Sequence, residues 1–147
     1  MRLPRNLKGR SGVVLDTMFF IYLFEDHDKY ASICEELLLN IERGTFSGVV
    51  TPVTMAELVI KPLKAERLDV ARSYRGSIMG FPNMEQSVVD ADVGWMAGVL
   101  RAKYGFALPD MIQVASALQY PTPTIITNDR DLKKVDEVEV VLLDDLC

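Results

Sequence analysis

The 147-residue chain contains few of the residues that bind soft metals: two cysteines, Cys34 and Cys147, and one histidine, His27. Two cysteines so far apart form neither a disulfide framework nor a CxxC metal motif. A single histidine, in the polar stretch EDHDK, argues against both a zinc site and a Ser/His/Asp triad. Oxygen ligands remain, and they suit hard cations such as Mg²⁺ or Mn²⁺.

Long apolar runs and positive charge are also scarce. No run approaches the roughly 18 residues of a membrane-spanning helix, and the basic start MRLPRNLKGRSG lacks the apolar stretch of a signal peptide, so we expect a cytoplasmic protein. Sixteen Lys and Arg against 21 Asp and Glu give a net charge of −5. This charge opposes general binding of phosphates, although residues 1–11 form a short basic N-terminal arm.

Short apolar segments alternate with helical patterns along the chain. This alternation predicts one α/β domain over residues 1–147, with a mostly parallel central sheet flanked by helices. The predicted strands are 12–15, 48–50, 124–127 and a segment near 139–143, with 85–89 as a further candidate. The predicted helices are 17–25, 28–43 after an Asp28 cap, one from Thr51-Pro52, 64–79, one from Asp90 or Asp92 to Tyr104, and one from Pro109-Asp110 to Tyr120.

Four acidic residues interrupt or follow these apolar segments: Asp16 in GVVLDT, Glu57 in TMAEL, Asp110 in ALPDMIQ and Asp129 in TIITND. A carboxylate in apolar surroundings is costly unless something compensates it. Ligands bind at the carboxyl ends of parallel strands, so we expect the four to converge there, where a cation would relieve their repulsion. Each has a structural alternative: a helix cap or turn for the aspartates, and a solvated helix face for Glu57.

An acidic, oxygen-only pocket that binds Mg²⁺ can activate water, orient a phosphodiester and stabilise charge on the leaving oxygen. The sequence has no P-loop, no GxGxxG turn and no DxDxT phosphatase motif. Hydrolysis of a phosphodiester is therefore favoured over nucleotide-driven work.

The segments VVLDT, TMAEL, LPDMIQVASAL and IITNDRDL follow one another across residues 12–143 and resemble PIN-domain ribonucleases, in particular VapC-type toxins of type II toxin–antitoxin systems. The resemblance implies a PIN-like three-layer sandwich and a Mg²⁺- or Mn²⁺-dependent endoribonuclease. It implies an RNA substrate, an antitoxin partner and a homodimer. Its metal-binding and catalytic residues would be Asp16, Glu57, Asp110 and Asp129. Supporting roles would fall on Thr127 and Asn128 beside the acidic pocket, Arg130 toward a phosphate, and Asp131 as a substitute for Asp129.

Two other functions remain open from the sequence. One is a catalytically weak PIN-like module that binds a partner protein, with the apolar segment FFIYLF (residues 19–24) supplying a groove or a dimer surface rather than only buried core. The other is a metal-dependent phosphatase or DNA nuclease on the same scaffold, because selection of RNA depends on shape, stacking and 2′-hydroxyl contacts.

Overall fold

The computed structural model describes residues 3–147 as a parallel sheet with helices on both faces. The strands are β1 (Val13–Leu15), β2 (Gly48–Val50), β3 (Met84–Gln86), β4 (Thr124–Thr127) and β5 (Glu139–Leu142), in the sheet order β3-β2-β1-β4-β5. The helices are α1 (Thr17–Phe24), α2 (Ala31–Glu42), α3 (Pro52–Lys64), α4 (Leu68–Met79), α5 (Ala91–Tyr104) and α6 (Leu108–Ala117). Short 3₁₀ helices cover Arg130–Lys134 and Leu143–Leu146. Every strand pairing is parallel, which confirms the predicted sheet.

The strands divide their side chains between two cores. Val13 and Leu15 of β1 pack with residues of α1 to α4, whereas Val14 packs with α5 and α6. Ile126 and Ile125 of β4 alternate in the same way. Because successive strand residues point to opposite faces, a continuous apolar strand requires cover on both sides. The result is the predicted three-layer sandwich.

Some helix starts follow the sequence closely. Thr51 caps α3 by accepting from the Thr54 N–H, and Pro52 occupies the first helical position, where its missing N–H costs nothing. Asp90 caps α5 by accepting from the Val93 N–H, which decides between the two starts considered for that helix.

The predicted start of α2 at Asp28 is wrong, because the helix begins at Ala31. The His27 ring nitrogen Nδ1 accepts from the backbone N–H groups of Lys29 and Tyr30 and holds this stretch in a turn. The helix ends at Glu42, one residue before the predicted end at 43, and Gly44 follows as the expected stop with a left-handed φ of +79°.

Three other boundaries differ from prediction by three residues or more. The third strand ends at Gln86 rather than residue 89: the Ser87 N–H still bonds to Val50, but the Val88 side chain is 77% exposed. The fourth helix starts at Leu68 rather than 64, because α3 runs to Lys64 and a left-handed Glu66 separates the two. The last helix stops at Ala117, before a turn.

Residues 3–11 of the basic arm pack onto the amino edge of the sheet, where the strands start. Leu7 is fully buried in the α1–α4 core. Arg10 donates to Thr124 at the start of β4 and forms an ion pair of 2.6 Å with Glu139 at the start of β5. Asn6 donates to the same carboxylate. Within residues 3–147, no helix is both long and apolar enough to cross a membrane.

Candidate active site

Asp16 follows β1 directly and lies at the carboxyl edge of the sheet. Its side chain is only 8% exposed. The Thr17 N–H donates to Oδ1 at 2.8 Å, and the Thr127 hydroxyl donates to Oδ2 at 2.6 Å. Asp16 is thus the cap of α1, the structural alternative considered from the sequence, and also a fixed carboxylate at the edge where ligands bind in such sheets.

Asp110 lies in the first turn of α6. Burial is the largest cause that raises its pKa to about 6, followed by the negative charges of Asp16, Asp129 and Glu57 in that order. The three other acids are therefore close enough to repel it. A raised carboxyl pKa from burial and like charge is typical of functional sites.

Glu57 lies in the second turn of α3, with its side chain on the exposed part of the helix. The Thr17 hydroxyl donates to its Oε1 at 2.8 Å. This contact joins the residue that follows Asp16 to Glu57, and so connects the ends of β1 and β2 through side chains.

Asp129 follows β4 and is exposed. Its own N–H donates to the Thr127 hydroxyl, and its Oδ1 accepts from the Asp131 N–H at the start of a 3₁₀ helix. Thr127 itself is fully buried. It therefore contacts both Asp16 and Asp129, which is the location expected of a residue that holds the acidic pocket.

The other residues proposed as supporting lie farther out. Asn128 accepts from the Asp144 N–H and ties the end of β4 to the C-terminal segment. Arg130 forms an ion pair with Asp144 at 3.4 Å, and its side chain is 69% exposed. Asp131 is exposed and pairs with Lys134. All three stabilise the chain around the β4 end in this structure.

The four acids share one edge but do not form a finished metal cage. Among residues 3–147, no three Asp, Glu, His or Cys side chains are arranged to hold one cation as they stand. Electrostatic interaction extends beyond metal-ligand distance, so the charges of the other three acids still act on Asp110. The donor set fits a hard divalent cation, because it is all oxygen and because a cation would remove the repulsion on Asp110.

A buried polar network supports these acids, and the sequence analysis did not assign it to the site. Its members are Thr17, Thr51, Thr54 and Gln113. All four are at most 6% exposed. The available signal was Gln113, a polar residue within the apolar pattern of MIQVASAL and one turn from Asp110, on the same side of α6.

An apolar groove of about 510 Å³ opens beside Glu57. Its walls come from α1, α3 and α4 and include Ile21, Phe24, Leu58 and Tyr74. The rings of Phe24 and Tyr74 stack with centroids 4.4 Å apart. Within FFIYLF, Phe19 and Phe20 are buried core, whereas Ile21 and Phe24 line the groove. The segment therefore contributes both to the buried core and to the walls of the groove.

Comparison with known proteins identifies the fold. The family model described as "PIN domain" matches residues 13–138. VapBC2 from Rickettsia felis, bound to a DNA fragment from its promoter, has a TM-score of 0.68 and 18% identity, covering 89% of this chain and 98% of that chain. A toxin–antitoxin complex from Klebsiella pneumoniae has a TM-score of 0.67 and 20% identity, covering 89% and 97%. VapBC-5 from Mycobacterium tuberculosis has a TM-score of 0.55 and 24% identity, covering 89% and 98%.

No curated protein shows a significant sequence match to the chain. The family model nevertheless spans most of the chain, from the start of β1 almost to the start of β5. It includes all four acids and the strands that carry them. The chain therefore belongs to the PIN domain family.

Proposed function

We propose that this protein is a divalent-metal-dependent endoribonuclease. The observation that carries the proposal is the raised pKa of the Asp110 carboxyl, which three further acids repel at the carboxyl edge of a PIN-domain sheet. The repulsion that Asp16, Asp129 and Glu57 exert on the Asp110 carboxylate is one that a bound Mg²⁺ or Mn²⁺ would relieve.

Asp16, Glu57, Asp110 and Asp129 would hold the metal. A bound divalent cation supplies Lewis-acid stabilisation of the phosphodiester and lowers the pKa of water. Thr127 and the Thr17 N–H keep both oxygens of Asp16 in a fixed orientation. Glu57 is held by Thr17 alone among the described contacts, so it can turn toward a ligand at low cost. In the net reaction, water is added across one P–O bond of the RNA backbone, which breaks the strand at that phosphodiester.

The test is cleavage of single-stranded and structured RNA by the purified protein with Mg²⁺ or Mn²⁺. We expect cleavage that EDTA stops, and a loss of at least about a hundredfold in Asp16→Asn and Asp110→Asn. Asp92→Asn is the matched control, because Asp92 is an exposed aspartate in the first turn of α5. Wild-type rates in Asp16→Asn would refute the assignment. Cleavage of DNA with RNA left intact would favour the DNA nuclease instead.

We further propose that the groove binds a partner protein of the antitoxin kind. The relatives by fold include a toxin–antitoxin complex and several VapBC structures. The groove offers an apolar floor with Lys61 and Arg67 on its rim, directly beside Glu57, so an occupant would sit at the active site and block it. This groove is also the observation that favours the alternative, a weakly catalytic binding module. Binding of a partner with no cleavage on any metal would decide for that alternative.

A homodimer is the remaining part of the proposal. Trp95 on α5 is 76% exposed, and Val99, one turn later on the same helix, is 42% exposed. A large exposed aromatic with apolar neighbours is typical of association surfaces. Light scattering after gel filtration tests it: Trp95→Lys should convert a dimer to a monomer, and a monomeric wild-type protein would refute the dimer.

A further inference from the structure

Gln113 is a buried amide in an otherwise apolar stretch of α6. Its side chain is 1% exposed, between Met111 and Val114, which are fully buried. An amide at such a position costs free energy unless its oxygen and both N–H groups find partners. All of them do: the Thr51 hydroxyl donates to Oε1, while Nε2 lies 2.7 Å from the Thr54 hydroxyl and 3.4 Å from Oδ1 of Asp16.

The direction of each hydrogen bond follows from its partners. An ionised carboxylate can only accept, so the amide atom facing Asp16 must be the nitrogen. Thr17 gives its hydroxyl proton to Glu57, so the Thr54 hydroxyl donates to Thr17 across 3.1 Å. Thr54 is then free to accept from Gln113. One chain of donors therefore leads from Gln113 through Thr54 and Thr17 to Glu57.

The two N–H groups of Gln113 thus serve two carboxylates. One points at Asp16 directly, and the other begins the hydroxyl chain that ends at Glu57. Hydrogen bonds in such chains polarise one another, so the orientation at one end affects the other. The Thr51 hydroxyl fixes the opposite side of the amide. Among the described residues, Gln113 is the side chain that donates both to Asp16 and to the hydroxyl chain ending at Glu57. Thr17 also contacts both acids, but it reaches Asp16 only through its backbone N–H.

We propose that Gln113 is a positioning residue that orients Asp16 and Glu57 together for binding of the divalent cation. The inference rests on the proposed metal-dependent function. A leucine or methionine would fill the same space in the core without the cost of a buried amide, so packing alone does not call for glutamine here. Loss of a side chain that orients metal ligands typically costs about 10- to 100-fold in metal affinity or activity.

The experiment measures the affinity for Mn²⁺ by calorimetry and by electron paramagnetic resonance, in the wild-type protein and in Gln113→Met. Methionine keeps the length of the side chain and removes its hydrogen bonds. The matched control is Ser116→Ala. Ser116 is also buried on α6, but its hydroxyl donates to the backbone carbonyl of Ile112 in the same helix. Each protein is measured at the same interval below its own melting temperature.

We expect the dissociation constant for Mn²⁺ to rise by about 10- to 100-fold in Gln113→Met and to stay within twofold of wild type in Ser116→Ala. RNA cleavage should lose kcat with little change in KM. Gln113→Asn, which is too short to reach both partners, should weaken Mn²⁺ binding too and serves if the methionine variant does not fold. Wild-type affinity in a folded Gln113 variant, or an equal loss in Ser116→Ala, would overturn the proposal.

Whether the wild-type protein binds Mn²⁺ distinguishes failure of the positioning role from failure of the proposed metal-dependent function. If wild type binds Mn²⁺ and the Gln113 variants bind it equally well, the positioning role fails while the metal-dependent function stands. If wild type binds no Mn²⁺, the proposed function fails and the positioning role falls with it.

Discussion

Carboxylates occupy both edges of the sheet, and the protein treats them in opposite ways. At the amino edge, Glu139 is paired with Arg10 and accepts from Asn6. Burial would raise the pKa of Glu139, but these contacts outweigh it and lower that pKa. At the carboxyl edge, burial and three neighbouring acids raise the pKa of Asp110 to about 6. Among the described residues, Glu139 at the amino edge has an ion pair, whereas the four acids at the carboxyl edge form none.

The difference distinguishes a structural acid from a functional one. Glu139 has a structural role, because it binds the N-terminal arm through Arg10. The arginine stabilises the ionised form of this carboxyl at neutral pH. The four acids at the carboxyl edge have only hydroxyl and N–H donors as partners among the described residues. Their mutual repulsion therefore lowers the free energy of unfolding of the metal-free protein. That cost is reasonable only if a ligand of positive charge is expected at the site.

The largest effect that tests this comparison is stabilisation by metal. At a hundredfold excess over its dissociation constant, Mn²⁺ should raise the free energy of unfolding of the wild-type protein by about 2.7 kcal/mol. Asp16→Asn should lose most of this gain, and Glu139→Gln should keep it. Thermal melts with and without Mn²⁺ measure both. Equal stabilisation of the two variants would mean that Mn²⁺ binds elsewhere. The difference in charge pairing between the two edges would then be unrelated to metal binding.

The second effect is the pH dependence of stability without metal. A carboxyl whose pKa is raised in the folded state stabilises the fold fully below its unfolded value, near 4. That stability is lost as the pH rises through about 6. Asp110→Asn lacks the titrating group, so it should be more stable than wild type by roughly 1–2 kcal/mol above pH 7, after allowance for solvent screening. The two proteins should converge near pH 4. Urea denaturation in EDTA gives the comparison, and an advantage that persisted at pH 4 would count against it.

The sequence predicted most of the sheet and the placement of the acids, because both follow from local patterns. Apolar runs of three or four residues predict strands buried on both faces, and an acid directly after such a run lies at the strand end, as Asp16 does. Thr127 was assigned instead from the resemblance to PIN-domain ribonucleases. Boundaries failed where a side chain competed with the helix, as His27 does by holding the backbone of Lys29 and Tyr30.

Other features depend on tertiary structure and were out of reach. Thr51 and Thr54, at the start of α3, are 62 and 59 residues from Gln113 and meet it only when α3 packs beside α6. The charge of the basic arm was visible, but its location at the edge opposite the acids was not, because the ion pair of Arg10 with Glu139 spans most of the sequence. The groove likewise exists only between packed helices.

The third prediction concerns the amino edge. Arg10→Ala removes a partly buried ion pair and a hydrogen bond to Thr124, and should lower the free energy of unfolding by about 1 kcal/mol. Because the pKa of Glu139 is lowered by its partners, this contribution is present at neutral pH and disappears as the pH falls below about 4. RNA cleavage should stay at the wild-type rate. A loss of cleavage in a folded Arg10→Ala protein would give the arm a role at the active site that its location does not explain.

The smallest predicted effect is a change in the pKa of Asp110 when each neighbouring acid is removed in turn. Replacing Asp16, Asp129 or Glu57 by its amide should lower the pKa of Asp110 in each case, most for Asp16 and least for Glu57, following their order of influence. Titration of the Asp110 carboxyl by ¹³C NMR without metal measures it, with Asp92→Asn as a variant that should change nothing. Burial is the largest cause of the raised pKa, so even the triple variant should keep the Asp110 pKa above its ordinary value. If the pKa instead returned to normal once the charges were gone, repulsion alone would account for it. The acids of the carboxyl edge would then differ from Glu139 only in having no ion pair, and burial of the Asp110 carboxyl would make no contribution to its pKa.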